Sequence, residues 1–104
     1  MMNVSILSPN PPTLYVGTTK VTIGYSGVTP ISLTLQINGD SNVVFIDPSG
    51  NETPQISWNQ GTVNQQTVTI RIKAARASST DCSLTLIAKT SMGPVKSGTS
   101  IKYS

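Results

Sequence analysis

The chain of 104 residues has no histidine, one cysteine, one tryptophan, one phenylalanine and four carboxylate side chains, Asp40, Asp47, Glu52 and Asp81. Without histidine neither a Ser–His nor a Cys–His nucleophile pair can be assembled, and most zinc sites lose their usual ligand. A single cysteine excludes an internal disulfide, so stability must come from packing. No apolar run approaches the roughly 20 residues that a membrane-spanning helix needs. The opening residues, Met1 to Ile6, show neither a basic n-region nor a continuous apolar h-region, so no secretory signal is read there. If the chain is complete, it is expected to stay in the compartment where it is made. Charged residues make up 11%, and 7 Lys+Arg against 4 Asp+Glu give a net charge of +3. That balance is mildly basic and lacks the concentrated Lys/Arg block of a nucleic-acid arm.

What is present is alternation. Residues 31–37 read Ile-Ser-Leu-Thr-Leu-Gln-Ile, and the same period recurs over 68–73 and 82–86. Period two places one set of side chains on a buried face and the other on a wet face, as in an antiparallel strand. Repeated from end to end in a chain of one-domain length, it predicts an all-β sandwich or small barrel. Residues 1–104 form a single domain on this reading, with 1–12 able to serve as an extended N-terminal arm.

Seven or eight strands are expected. Residues 4–7 open the chain as an edge strand, and three prolines, Pro9, Pro11 and Pro12, end it in a polyproline-like crossing. Residues 14–16 continue the edge. Val21, Ile23 and Tyr25 alternate through the next strand, and 31–37 follows. Asn38-Gly39 is a strong hairpin signal, which predicts that 43–46 pairs back onto 31–37. Val43-Val44-Phe45-Ile46 is apolar on both faces, so its outer side is expected to be covered. Residues 47–51 form a turn by composition. Strands at 55–58 and 67–73, a loop over 74–81 with one helical turn at 74–77, a strand at 82–88, a turn at 92–94 and a closing strand at 100–103 complete the set. The expected core is Val21, Ile23, Leu33, Leu35, Ile37, Phe45, Trp58, Val68, Ile70, Ile72, Leu84 and Leu86.

Four stretches together carry a family likeness: Lys20-Val-Thr-Ile-Gly-Tyr-Ser-Gly, residues 31–37, Ile56-Ser-Trp-Asn-Gln-Gly and Gln66-Thr-Val-Thr-Ile-Arg-Ile. They resemble bacterial Ig-like and Calx-β-like repeat modules, with Ile56, Trp58, Gly61, Gln66, Thr67, Val68 and Ile70 at the corresponding places. The resemblance covers about two thirds of the chain and implies an Ig-like antiparallel β-sandwich. It departs from the calcium-binding Calx-β pattern, which clusters carboxylates in end loops, so no metal site carries over.

The chemistry-bearing residues have plain structural explanations. Cys82 shares a face with Leu84 and Leu86 and is expected to be a small buried hydrophobe. Asp40 and Asp47 flank the 43–46 strand as turn residues, too far apart for a carboxylate dyad. A Ca²⁺ cage of Asp40, Asp47 and Glu52 would lack the six to eight oxygens the ion takes. Arg71 and Lys73 share the wet face of one strand, with Arg76 beyond and Lys89 on a strand that could neighbour it. Trp58 alternates with Ile56 and belongs to the core on that count; a sugar platform of Trp58 and Tyr15 is the competing assignment.

No enzyme, no cofactor, no metal, no nucleic acid, no membrane and no small-molecule ligand is therefore expected. The favoured function is a structural protein of a virus particle: a tailed-phage capsid decoration (cement) protein or small tail component. It would be made in the host cytoplasm and bind the major capsid protein, with homo-oligomers allowed. Partner contacts are assigned to Pro9, Pro11, Pro12, Val44, Ile46, Arg71 and Lys73. The alternative is an extracellular adhesion or carbohydrate-binding module from a larger secreted bacterial protein.

Overall fold

Apolar residues at every second position need a second apolar surface to bury against, and in this chain the second surface is another sheet. The computed structural model describes residues 2–28, 30–38, 41–59, 64–75 and 80–104. Ten strands lie among them: β1 (Asn3–Ser8), β2 (Thr13–Leu14), β3 (Gly17–Ser26), β4 (Ser32–Asn38), β5 (Val43–Ile46), β6 (Glu52–Thr53), β7 (Gln55–Trp58), β8 (Gln65–Ile72), β9 (Thr80–Thr90) and β10 (Gly93–Tyr103). The first sheet has the order β1-β3-β8-β5-β6 and the second β2-β10-β9-β4-β7. Neighbours are antiparallel except β2 and β10, which run parallel. Seven of these strands reproduce the two-sheet order of a constant-type immunoglobulin sandwich, β1-β3-β8-β5 against β10-β9-β4. The excess over the expected seven or eight comes from two-residue pieces, β2 and β6.

The core is the layer between the sheets. Val21, Ile23, Phe45, Ile70 and Ile72 from the first sheet meet Leu33, Leu35, Leu84, Leu86 and Ile101 from the second, all essentially inaccessible to water. Cys82 is buried in the same layer, as its alternation with Leu84 and Leu86 requires. Ile37 and Trp58 are only half-buried, packed against the margin of the core. Trp58 belongs to β7, which is an edge strand, so one flank of the indole has no neighbouring strand. Met2, Leu14, Tyr25, Val43, Ala88 and Tyr103 join the core beyond the expected set.

The hairpin expected at Asn38-Gly39 does not form. β4 pairs with β9 and β7, whereas β5 pairs with β8 and β6 in the other sheet. The chain crosses the core between β4 and β5, so their apolar faces look at each other instead of lying side by side. A turn dipeptide fixes a local reversal and does not choose the lane into which the strand returns. Gly39 and Asp40 themselves lie outside the described residues, as do Arg76 and part of the helical turn expected over 74–77. The strand carrying Lys89 also sits in the opposite sheet from Arg71 and Lys73, so it does not extend that basic pair.

The proline-rich segment is a crossing from the first sheet to the second. β1 pairs with β3 through Asn3↔Ser26 and Ser8↔Thr22, and β2 pairs with β10. The Ser8–Pro9 and Asn10–Pro11 peptide bonds are cis, and the chain bends over Pro9 to Pro11 instead of running as a polyproline-like stretch. Residues 2–8 pack on the fold: β1 pairs with β3, and Met2 is 2% exposed and sits in the core. The closing strand is also longer than expected, because β10 pairs with β9 from Gly93↔Thr90 to Tyr103↔Thr80. Gly93, at φ 107, occupies a backbone region open chiefly to glycine and allows the tight turn at Ser91-Met92.

Two outcomes follow for stability. Phe45→Ala should cost about 3–5 kcal/mol in urea unfolding, the range for aromatic truncation in a packed core, and Trp58→Ala distinctly less because its site can relax toward solvent. Deleting residues 1–8 should lower the melting temperature clearly, since it removes Met2 from the core and uncovers the edge of β3. A truncated chain that melts with the full one would refute this placement.

Candidate interaction faces

Outward positions on β8 are Thr67, Thr69 and Arg71, and those on β5 are Val44 and Ile46. The register sets Val44 opposite Arg71, and Ile46 opposite Thr69 on one side and Glu52 on the other. A closed turn brings Glu52 there. The Asp47 carboxylate oxygen Oδ1 accepts hydrogen bonds from the backbone N–H of Ser49 (2.9 Å) and Asn51 (2.8 Å). Its backbone completes the loop, with Gly50 N to Asp47 O and Asp47 N to Asn51 O both at 2.9 Å. Asp47 therefore acts as the turn residue its place before Pro48 suggests. Gly50 takes φ 86, which a side chain would resist.

Glu52 then receives two cations. Arg71 Nη1 donates to Oε2 at 3.0 Å and Lys73 Nζ lies 3.0 Å from Oε1. Lys73 is held in place by its own N–H, which donates to Asn42 O at 2.9 Å. The hydrogen bond from Lys73 holds the Glu52 carboxyl below the ordinary glutamate range; desolvation opposes it, and the charges of Lys73 and Arg71 and the Arg71 hydrogen bond add to the lowering. The basic pair read from the sequence is thus a three-residue clamp with net charge near +1. Beside it lies a shallow hollow of about 420 Å³ whose wall includes Val44, Pro54, Glu52 and Lys73. Val44 and Ile46 are half-buried on this outer face, where the register sets Arg71 beside Val44 and Glu52 beside Ile46.

Four of the seven expected contact residues, Val44, Ile46, Arg71 and Lys73, therefore share one face. Pro9, Pro11 and Pro12 do not join them, because they lie between β1 and β2, at the far edges of the two sheets. Glu52 is the member that sequence reasoning missed. It was weighed only as a calcium ligand, and the closed turn at 47–51 was the available signal that it would return beside β5.

The outer face of the second sheet is different in kind. Thr34 and Ser57 hydroxyls meet at 3.0 Å, Gln36 Nε2 donates to Gln55 Oε1 at 3.2 Å, and Asn38 Nδ2 donates to Thr85 Oγ1 at 3.0 Å. These neutral cross-strand pairs form a polar grid across β7, β4 and β9. Tyr15, 65% exposed, follows β2 at one edge of this sheet, whereas Trp58 is on β7 at the other. The two rings cannot form one sugar platform. Trp58 does line a small cleft of about 190 Å³ with Ile46, Asp47, Pro48, Ile56 and Thr67.

The clamp makes a titration testable. Because the folded value for Glu52 lies below the unfolded one, its contribution is complete above the ordinary glutamate range and disappears as pH falls through the folded value. In a carboxyl NMR titration Glu52 should therefore have a depressed midpoint, and Lys73→Met should move it back up. A midpoint in the ordinary range at low salt would show that the clamp does not persist in solution.

Comparison with protein-family models gives no match for this chain, and comparison with curated proteins gives none either.

Proposed function

We propose that this protein is a non-catalytic structural module that works by surface contact, as a decoration protein on the lattice of a virus shell. The observation that carries this reading is the outer face of the first sheet. Val44 and Ile46 form a half-buried apolar centre, and Glu52, Arg71 and Lys73 form a polar border fixed by ion pairs. An apolar centre with a charged rim is the anatomy of a protein–protein contact. The clamp also reduces the ordering cost of binding, because the long side chains are already held.

The chain's chemistry supports contact over catalysis. It has no histidine, its cysteine is buried, and Asp47 and Glu52 are engaged in a turn and a clamp. A decoration protein needs only about 800 Å² of complementary surface on each side and a partner repeated many times. An acidic patch on the major capsid protein would meet the residual positive charge of the clamp.

A second reading is favoured by one observation, the Trp58 cleft. A half-buried indole in a cleft that Asp47 and Thr67 also line is a combination suited to a sugar ring, which offers an apolar face and hydroxyls together. It would place the protein among carbohydrate-binding or adhesion modules.

Mixing the purified protein with shells that lack it separates the two. Saturable, stoichiometric binding that Val44→Asp or Arg71→Glu weakens at least tenfold, with an unchanged melting temperature, supports decoration. Failure to bind shells, with retention on a glycan array that Trp58→Ala abolishes, transfers the case to the sugar-binding reading.

A further inference from the structure

A strand presents hydrogen-bonding groups on both sides, and β10 uses one side in full and the other at its end alone. Its odd-numbered residues bond to β9, starting from Gly93 opposite Thr90 at the tight turn. Its even-numbered residues face away from β9, as Lys102 shows by donating to Pro12 O at 3.1 Å and Ser104 by donating to Leu14 O at 3.2 Å. Pro94, which has no N–H, occupies an even position and confirms the parity. Beyond Lys102 and Tyr103, which pair with β2, no strand among the described residues pairs with this side of β10. The backbone N–H and C=O groups of Lys96, Gly98 and Ser100 therefore point into a lane that no described strand pairs with, although β1 of the other sheet runs close beside β10. Gly98 is exposed, and since it has no side chain that exposure belongs to the main chain.

The sequence explains why β2 does not extend along this lane. β2 runs parallel to β10 with Thr13 opposite Lys102. Continuing that register backwards would set Pro12, Pro11, Asn10 and Pro9 against Ile101, Ser100, Thr99 and Gly98. Three of those four residues have no N–H to donate and cannot build a ladder. The chain instead crosses to the other sheet as β1. The lane keeps a partly apolar floor, because Val95 from β10 and Val4 and Ile6 from β1 are half-buried at this flank of the core.

We infer that the edge of β10 from Pro94 to Ile101 is a docking lane for an extended, proline-free segment of a partner chain, which adds to the second sheet as a strand. This goes beyond the proposed lattice contact and uses a different surface. Main-chain hydrogen bonds to Lys96, Gly98 and Ser100 hold the segment, and its inward residues cover Val4, Ile6 and Val95. On the outer face, Lys96 and Lys102 flank the lane, so an acidic residue in the segment is favoured. A second copy of β10 is a poor occupant. Antiparallel self-pairing about Gly98 would set the copy's Pro94 opposite Lys102, where Thr13 already sits, and the tight turn at Ser91-Met92 would run into β2. A free segment ends where the lane ends.

The test uses the full chain and a nine-residue peptide that alternates valine with threonine and has one aspartate near an end. In the protein alone, amides of Lys96, Gly98 and Ser100 should exchange with solvent at least tenfold faster than those of Val95, Ser97 and Thr99. Saturating peptide should slow the first set at least tenfold. Ser100→Pro removes a lane-facing donor without touching the β9 ladder; it should keep the melting temperature and weaken peptide binding at least tenfold. Lys96→Glu should weaken binding of the aspartate peptide more than that of its asparagine counterpart. The inference is overturned if the lane amides are already protected in the monomer, if the peptide leaves them unchanged, if the protein dimerises through this edge, or if the two variants bind as the parent does.

Discussion

One apolar layer, closed between two sheets, sets every other property of this protein. The layer contains no buried charged side chain among the described residues, and burial raises the pKa of the Tyr25 phenol, which keeps that ring neutral. Each strand spends one face on this layer and has only its other face left for partners. Function must therefore lie on outer faces, at loop ends or along sheet edges. The layer also explains why a lone buried cysteine is enough: Cys82 fills volume between strands that are already well packed, and Tyr103 and Phe45 contribute the bulk.

Which surfaces remain free is a matter of how each sheet edge is finished. Edge strands invite unwanted pairing, and proteins blunt them by shortness, prolines, bulges or charge. β6 is two residues long and β7 four, so neither offers a long ladder. β1 is broken by a register shift between Ile6 and Ser8. There the Leu7 side chain lies against Gly24, and a Cβ at that glycine would meet Leu7 Cδ1 at 2.8 Å and push this exposed side chain aside. β10 is blunted more weakly, by Pro94 at its start and by lysines at Lys96 and Lys102. The difference between the edges is as informative as the faces themselves.

Much of the strand content was legible because alternation is a local property. Val21, Ile23, Leu33, Leu35, Ile70, Leu84 and Leu86 are inward by simple parity, and parity also put Arg71 and Lys73 on one wet face. Pairing was not legible. Asn38-Gly39 has the chemistry of a tight hairpin, yet the Ile37↔Leu84 and Leu35↔Leu86 contacts bind β4 to a strand almost fifty positions later. No window of sequence contains both partners. Burial of Trp58 depended on the same missing information, because an inward residue is fully covered in a central strand and only half covered at an edge. The length of β10 was hidden by Gly93, Pro94 and Gly98, which in isolation look like breaks but are tolerated where the backbone faces an open side.

The candidate face shows how a few residues build a defined surface on a stable scaffold. Arg71 and Lys73 follow from the pleat of β8, but their usefulness depends on Glu52, and Glu52 is in place because Asp47 closes the preceding turn with its carboxylate. Exposed ion pairs contribute little to folding, so this arrangement is poorly explained as a stabilising device. Its effect is to fix the directions of three long side chains around Val44 and Ile46, leaving those apolar residues accessible at the centre. A surface organised in this way costs the fold almost nothing and sets a mildly cationic frame around an apolar centre.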